Sequence, residues 1–197
     1  MKIATFKAGL IASLALTLSA CGSDTEMEGA PGTSDRSGDA LAEVITDEGN
    51  VSVMGDALEK TGLAGVLEGE ANYTLLAPTD TAFEALGEQA TAMLADEDRG
   101  AIVAAILREH MVPGALTPDA IRSAIGDNGG EVSMTPFGSG DLTWTLDGED
   151  IVVTNAGGQT ARLSGNAIAA KNGVLIPIDT VLVDPQSLAG SPALADQ

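Results

Sequence analysis

The chain has 197 residues, with 29 Asp and Glu against 9 Lys and Arg, a formal charge of −20, one His, one Cys and few aromatics (three Phe, one Tyr, one Trp). That balance argues against an extended nucleic-acid or anionic-lipid surface, because neutralising phosphate needs clustered Lys and Arg. One Cys excludes an internal disulfide and any Cys-cluster metal site, and one His excludes multi-His sites, while the 44% apolar share suffices for a core filled by aliphatic side chains.

In chain order, Lys2 and Lys7 flank the start of an uncharged, mostly apolar run of 13 residues from Ala8 to Ala20. Such a run is short for a bilayer span and suits a signal-peptide core. It closes in Leu18-Ser19-Ala20-Cys21. This resembles the bacterial lipoprotein lipobox, in which small side chains fit the peptidase cleft and the thiol accepts a diacylglycerol. The resemblance implies cleavage before Cys21, lipidation at Cys21 and a palmitate-type anchor, each buried CH2 adding about 0.8 kcal/mol. Gly22 stands where lipoproteins retained in the Gram-negative inner membrane usually carry Asp, so the outer membrane is the expected address. The expected organisation is a signal peptide over 1–20, a flexible acylated tether over 21–38, one domain over 39–185 and a disordered tail over 186–197.

Within the domain the front half reads as helical. Leu41, Val44 and Ile45 form a short apolar stripe before Gly49, and Val51, Met54 and Leu58 form another, ended by Gly62. Tyr73 to Ala77 is β-prone, and Pro78-Thr79-Asp80 supplies turn and N-cap chemistry for a helix through Phe83 and Leu86, halted at Gly87, although Thr81 with Glu84 also has capping-box spacing. Arg99 to His110 is the clearest helix, with His110 amid the stripe of Ile102, Val103, Ile106 and Leu107. Thr117-Pro118 predicts a capped helix to about Gly126. The back half predicts strands over 132–135, 142–146, 151–154, 160–163, 167–170 and 174–183, with Asp147-Gly148 as a hairpin signal. Helices followed by antiparallel strands predict an α+β domain.

Three segments carry a family resemblance. Tyr73-Thr74-Leu75-Leu76-Ala77-Pro78-Thr79-Asp80-Thr81-Ala82-Phe83, Leu107-Arg108-Glu109-His110-Met111-Val112-Pro113-Gly114 and Lys171-Asn172-Gly173-Val174-Leu175-Ile176-Pro177-Ile178-Asp179-Thr180-Val181-Leu182 resemble, in order and spacing, the motifs of the fasciclin domain. The resemblance implies a compact β-wedge or sandwich with helices packed along it, and it singles out Thr79, Asp80, Phe83, His110, Pro113, Gly114, Asn172 and Gly173 as motif residues. With the tether, the compact domain and the lack of catalytic groups, the expected function is a non-enzymatic adhesion or binding module with no cofactor, partnered by an envelope or extracellular protein or polysaccharide. The alternative it leaves open is carriage of an apolar small ligand such as a carotenoid. Animal members often carry Tyr before the motif histidine, in a region implicated in integrin adhesion. Glu109 occupies that place here, so integrin recognition does not carry over. Pro177 lacks an amide donor, which predicts an edge position or a bulge in the last strand.

Few groups offer other chemistry. His110 is the one possible imidazole base and could pair with Asp80, but its apolar setting favours a structural role, and no nucleophile motif accompanies it. Asp96-Glu97-Asp98 and Asp147-Gly148-Glu149-Asp150 supply oxygen ligands of the kind Ca2+ prefers, yet neither follows the EF-hand order, and solvated acidic loops explain them. The Asn50 and Asn72 sequons are attributed to chance in a lipobox protein. Met93, Met111, Met134 and Phe137 could line an apolar groove, though scattered Met more often fills a core.

Overall fold

The structure is a computed structural model that describes residues 32–182. The signal peptide, Cys21, most of the tether and the C-terminal tail therefore lie outside the described residues. The elements run β1 (Thr33–Arg36), α1 (Leu41–Asp47), α2 (Ser52–Lys60), β2 (Tyr73–Pro78), α3 (Asp80–Ala85), α4 (Glu88–Ala95), α5 (Gly100–Glu109), β3 (Met111–Pro113) and α6 (Pro118–Asp127). There follow β4 (Glu131–Met134), β5 (Leu142–Asp147), β6 (Asp150–Thr154), β7 (Thr160–Arg162), β8 (Ala167–Ala170) and β9 (Gly173–Ile178). One mixed sheet has the order β1-β8-β9-β2-β3, and a second, antiparallel sheet has the order β4-β5-β6-β7.

The parallel pair β2 and β9 forms the middle of the first sheet, in the register Leu75↔Leu175 and Leu76↔Ile176. Side chains of equal parity share a face. Leu75, Ala77 and Leu175 meet Leu41, Ile45, Met54, Leu58, Phe83, Ile106 and Leu107 from the helices. Leu76, Val174 and Ile176 meet Leu142, Trp144 and Val153 of the second sheet and Ile121 and Ile125 of α6. The layers are therefore helices, first sheet, and second sheet with α6. Covering both faces explains why β2 and β9 read as near-continuous apolar runs.

Local chemistry sets the helix ends as the sequence predicts. The Thr79 hydroxyl accepts the Ala82 amide at 3.3 Å, and the Thr117 hydroxyl accepts the Ala120 amide at 3.2 Å with Pro118 at the first helical position. These caps place the start of α3 at Asp80, which resolves the competition with Thr81. The Asp147↔Asp150 pairing closes β5 and β6 through Gly148 and Glu149, the predicted hairpin.

Several expectations need correction. The stretch read as tether includes β1, which pairs parallel with β8. Its side chains are mostly exposed and carry no apolar signal, so a main-chain ladder holds it, with Arg36 bridging Asp39 and Asp47 at 2.7 and 2.8 Å. The helix α4 goes unpredicted because its two large apolar residues, Met93 and Leu94, are adjacent and make no stripe, and Gly87, not a side-chain capping residue, stands in front of it. The last strand stops at Ile178, not at Val183, because the chain bends at Asp179 and Thr180 just after Ile178 bridges Leu163. Pro177 lies neither on an edge nor at a bulge. It is in the central strand β9, past the last β8 pairing at Ile168↔Leu175, and its carbonyl accepts the Ser164 amide at 2.8 Å. A residue's amide and carbonyl share one side of an extended strand, so its missing donor faces the gap that β8 leaves. Finally, the pairings β1–β8 and β2–β9 are parallel, where antiparallel strands were expected.

Gly173 makes the central pair possible. A Cβ there would overlap the Tyr73 carbonyl oxygen, a backbone atom that cannot swing away. Gly173→Ala is expected to cost about 3 kcal/mol, the upper part of the overpacking range, because the strand must shift rather than a side chain. Urea unfolding measures it; a midpoint within error of the parent would show that the strands do not approach so closely.

Candidate functional site

Among the described residues three polar side chains are buried, Thr74, His110 and Asn172, one in each motif segment. On β2 the Thr74 hydroxyl donates to the Gly114 carbonyl at 2.7 Å and accepts the Leu116 amide at 2.8 Å. It thereby fixes the chain leaving β3, where Gly114 at φ +95° takes a turn that other residues rarely adopt. Before β9, the Asn172 carboxamide oxygen accepts the Leu41 amide at 2.8 Å, and its nitrogen donates to the Leu67 and Gly69 carbonyls, each at 2.7 Å. One side chain thus joins the start of α1, the loop after α2 and the start of β9.

His110 follows α5. Its Nε2 accepts the Leu182 amide at 3.0 Å, which requires the proton on Nδ1, and that proton goes to the Ile106 carbonyl one turn back at 2.8 Å. The ring is a neutral tautomer with both nitrogens committed to backbone. Burial pushes its pKa down to about 4, against the opposing pull of the Ile106 carbonyl. In this tautomer neither ring nitrogen is free to act as a base.

Asp80 does not pair with His110. Its carboxylate accepts the Ser52 hydroxyl at 2.7 Å and the Val53 amide at 2.9 Å, so it holds the start of α2 against α3. An anion there also suits the positive end of the α2 dipole. Phe83 is buried in the helix-side core, and Pro113 lies exposed on edge strand β3 opposite Tyr73. Glu109 reaches the loop after β4, where its Oε1 accepts the Ser139 amide at 2.6 Å and the Ser139 hydroxyl at 2.9 Å. Sequence reading names His110 and Asn172 but passes over Thr74 as a junction; its one signal is a hydroxyl within an otherwise apolar strand.

The acidic motifs serve the chain itself. Asp147 and Asp150 both pair with Arg162, and Asp96 accepts the Asp98 amide and pairs with Arg99. Among the described residues no group of three or more His, Cys, Asp and Glu is placed to hold a metal ion. Of the groove residues, Met111 is in the helix-side core, Met134 packs against the inter-sheet core and Phe137 is exposed, while the Met93 side chain lies outside what is described. A cleft of about 440 Å³ beside α1 is lined by Asp39, Glu43, Asp47, Glu59 and Glu68 around Arg36. Small-molecule sites are mostly apolar, and this cleft is the reverse.

Two outcomes test the junctions. The unfolded imidazole titrates near 6.5 and the folded one near 4, so between those values the unfolded chain binds the extra proton. The stability linked to His110 is fully present above about pH 6.5 and falls as pH drops toward 4, by on the order of 3 kcal/mol. Urea unfolding of the parent at neutral pH and near pH 4 should show about that much more loss than His110→Gln shows; parallel losses would refute the buried neutral ring. Asn172→Ala leaves an amide and two carbonyls without their partner and should cost about 3 kcal/mol or more, whereas Ser133→Ala on the exposed edge should stay within about 0.5 kcal/mol.

The comparisons agree with this architecture. The sequence profile of the fasciclin domain matches residues 49–184. The transforming growth factor-beta-induced protein ig-h3 of Sus scrofa is 28% identical over 145 residues, which are 73% of this chain and 19% of that protein. The solved FAS1 domain pair from the insect cell adhesion molecule fasciclin I superposes with a TM-score of 0.67 at 14% identity, covering 76% of this chain and 52% of that one. At that identity the likeness concerns the fold alone. The chain thus spans about a fifth of the curated relative and about half of the solved one. It belongs to the fasciclin domain family, whose domains are associated with cell adhesion or protein interaction.

Proposed function

We propose that this chain is a lipid-anchored fasciclin domain, held to the bacterial envelope through Cys21 and presenting a binding surface to an envelope or extracellular protein or polysaccharide, without catalysing a reaction. The outer membrane is the proposed site, from Gly22 after the acylated Cys. The observation that carries the reading is the commitment of the one imidazole in the chain to two backbone partners, within a domain of an adhesion-associated family. The three buried polar groups fasten the chain to itself, which leaves the outer surface to meet partners.

Metabolic labelling with an alkynyl fatty acid tests the anchor. The parent should take up label and partition into detergent, and Cys21→Ser should do neither; an unlabelled parent would remove the anchor from the reading. Solid-phase binding of the purified full-length chain to a panel of envelope proteins and polysaccharides tests the module. A saturable partner is expected, and His110→Gln, assayed at neutral pH with its fold checked by circular dichroism, should retain it. No saturable partner across the panel counts against the module.

A further inference from the structure

Among the described residues the exposed large apolar side chains are Val66, Phe137 and Leu146, and single ones of this kind are ordinary. Phe137 differs because it is not alone. At 47% exposure its ring lies 5.6 Å from that of Tyr73, with the planes at 57°. Tyr73 stands opposite Pro113 in the β2–β3 register, where opposed side chains share a face. Three segments far apart in sequence thus build one apolar ridge.

The loop that carries Phe137 is held in place. The Phe137 amide donates to the Met111 carbonyl at 2.8 Å, Ser139 donates twice to Glu109 Oε1, and the Thr135 hydroxyl donates to Asp141 Oδ1 at 2.7 Å. A Cβ at Gly138 would overlap the Glu109 carboxylate, so the acid lies directly against the residue after Phe137. An exposed ring fixed this way loses little freedom on binding, which is the condition for an aromatic anchor.

Charge selects the occupant. The ridge adjoins the carboxylates of Glu109 and Asp141, and the chain carries −20, so a second copy or an acidic partner meets repulsion. An aromatic face attracts a cation, and a carboxylate beside it adds to that attraction. We infer that Phe137, Tyr73 and Pro113 form a docking surface for a basic protein segment, with apolar residues against the ridge and Lys or Arg over the Phe137 ring beside Glu109. This rests on the reading of the chain as a binding module and gives that module a face and a partner chemistry.

The test uses the full-length chain in detergent at low salt with a labelled synthetic peptide repeating Lys-Pro-Leu, alongside Glu-Pro-Leu and Lys-Gly-Ser peptides as probes of charge and of apolar contact. The Lys-Pro-Leu peptide should bind. Phe137→Ala should weaken it about tenfold or more. Glu109→Gln keeps an acceptor for Ser139 but loses the charge, and should weaken it severalfold, with melting temperatures of both variants near that of the parent. The Lys-Gly-Ser peptide should bind more weakly and ignore Phe137. Unchanged affinity in Phe137→Ala, equal binding of Glu-Pro-Leu, or no binding of Lys-Pro-Leu overturns the surface. So does a loss in Phe137→Ala of binding to a neutral envelope polysaccharide with the peptide unaffected. An envelope protein that binds Phe137→Ala as it binds the parent sinks this surface while leaving the module standing; the module itself fails only if the parent finds no partner in the panel.

Discussion

The parallel pairing of β2 with β9 is the constraint on which the other layers rest. The two strands are about a hundred residues apart in the chain, and their contact buries both faces, so helices must cover one side and a second sheet the other. Gly173 permits the close approach at the start of the pair, where the Tyr73 amide also donates to the Asn172 carbonyl at 3.1 Å. Asn172 then extends the junction outward to α1 and to the loop after α2. A parallel pair cannot be closed by a tight turn, and here the crossover contains most of the domain.

The buried polar groups follow from that arrangement. Layers joined by long connections leave main-chain amides and carbonyls inside without ladder partners, and each such group is costly when unpaired. Thr74, His110 and Asn172 bond seven backbone groups, four of them through buried hydrogen bonds and three, at Gly114, Leu116 and Gly69, through part-buried ones. Their spacing in the sequence is therefore a packing requirement. This is why residues with the look of a reactive constellation, Asp80 and His110 above all, end as fasteners of separate parts of the fold.

The acidic surface divides in a similar way. Arg36 and Arg162 each gather two carboxylates at the solvent boundary, where water screens ion pairs and leaves them little weight in stability. Their effect is to shape loops. Exposed apolar groups gather elsewhere, where Tyr73, Pro113 and Phe137 come together from three motif-bearing or adjoining segments, the surface proposed above for a basic partner.

What the residues dictated alone were the features that depend on near neighbours. The Thr79 and Thr117 caps, the α5 stripe with His110 within it, the hairpin at Asp147-Gly148 and most strand positions follow from chemistry within a few residues, and the motif order indicated the family. What only the tertiary structure decided were the pairings across long separations. The strand β1, with no apolar side chain to announce it, exists because Ala167–Ala170 offers a free edge. Pro177 is tolerated in a central strand because β8 ends before reaching it. The meeting of Phe137 with Tyr73 depends on where a loop is tied by Glu109, and no local pattern encodes that distance. Local propensity is written in side chains a few positions apart, whereas register and junctions are chosen by burial and hydrogen-bond satisfaction across the whole domain.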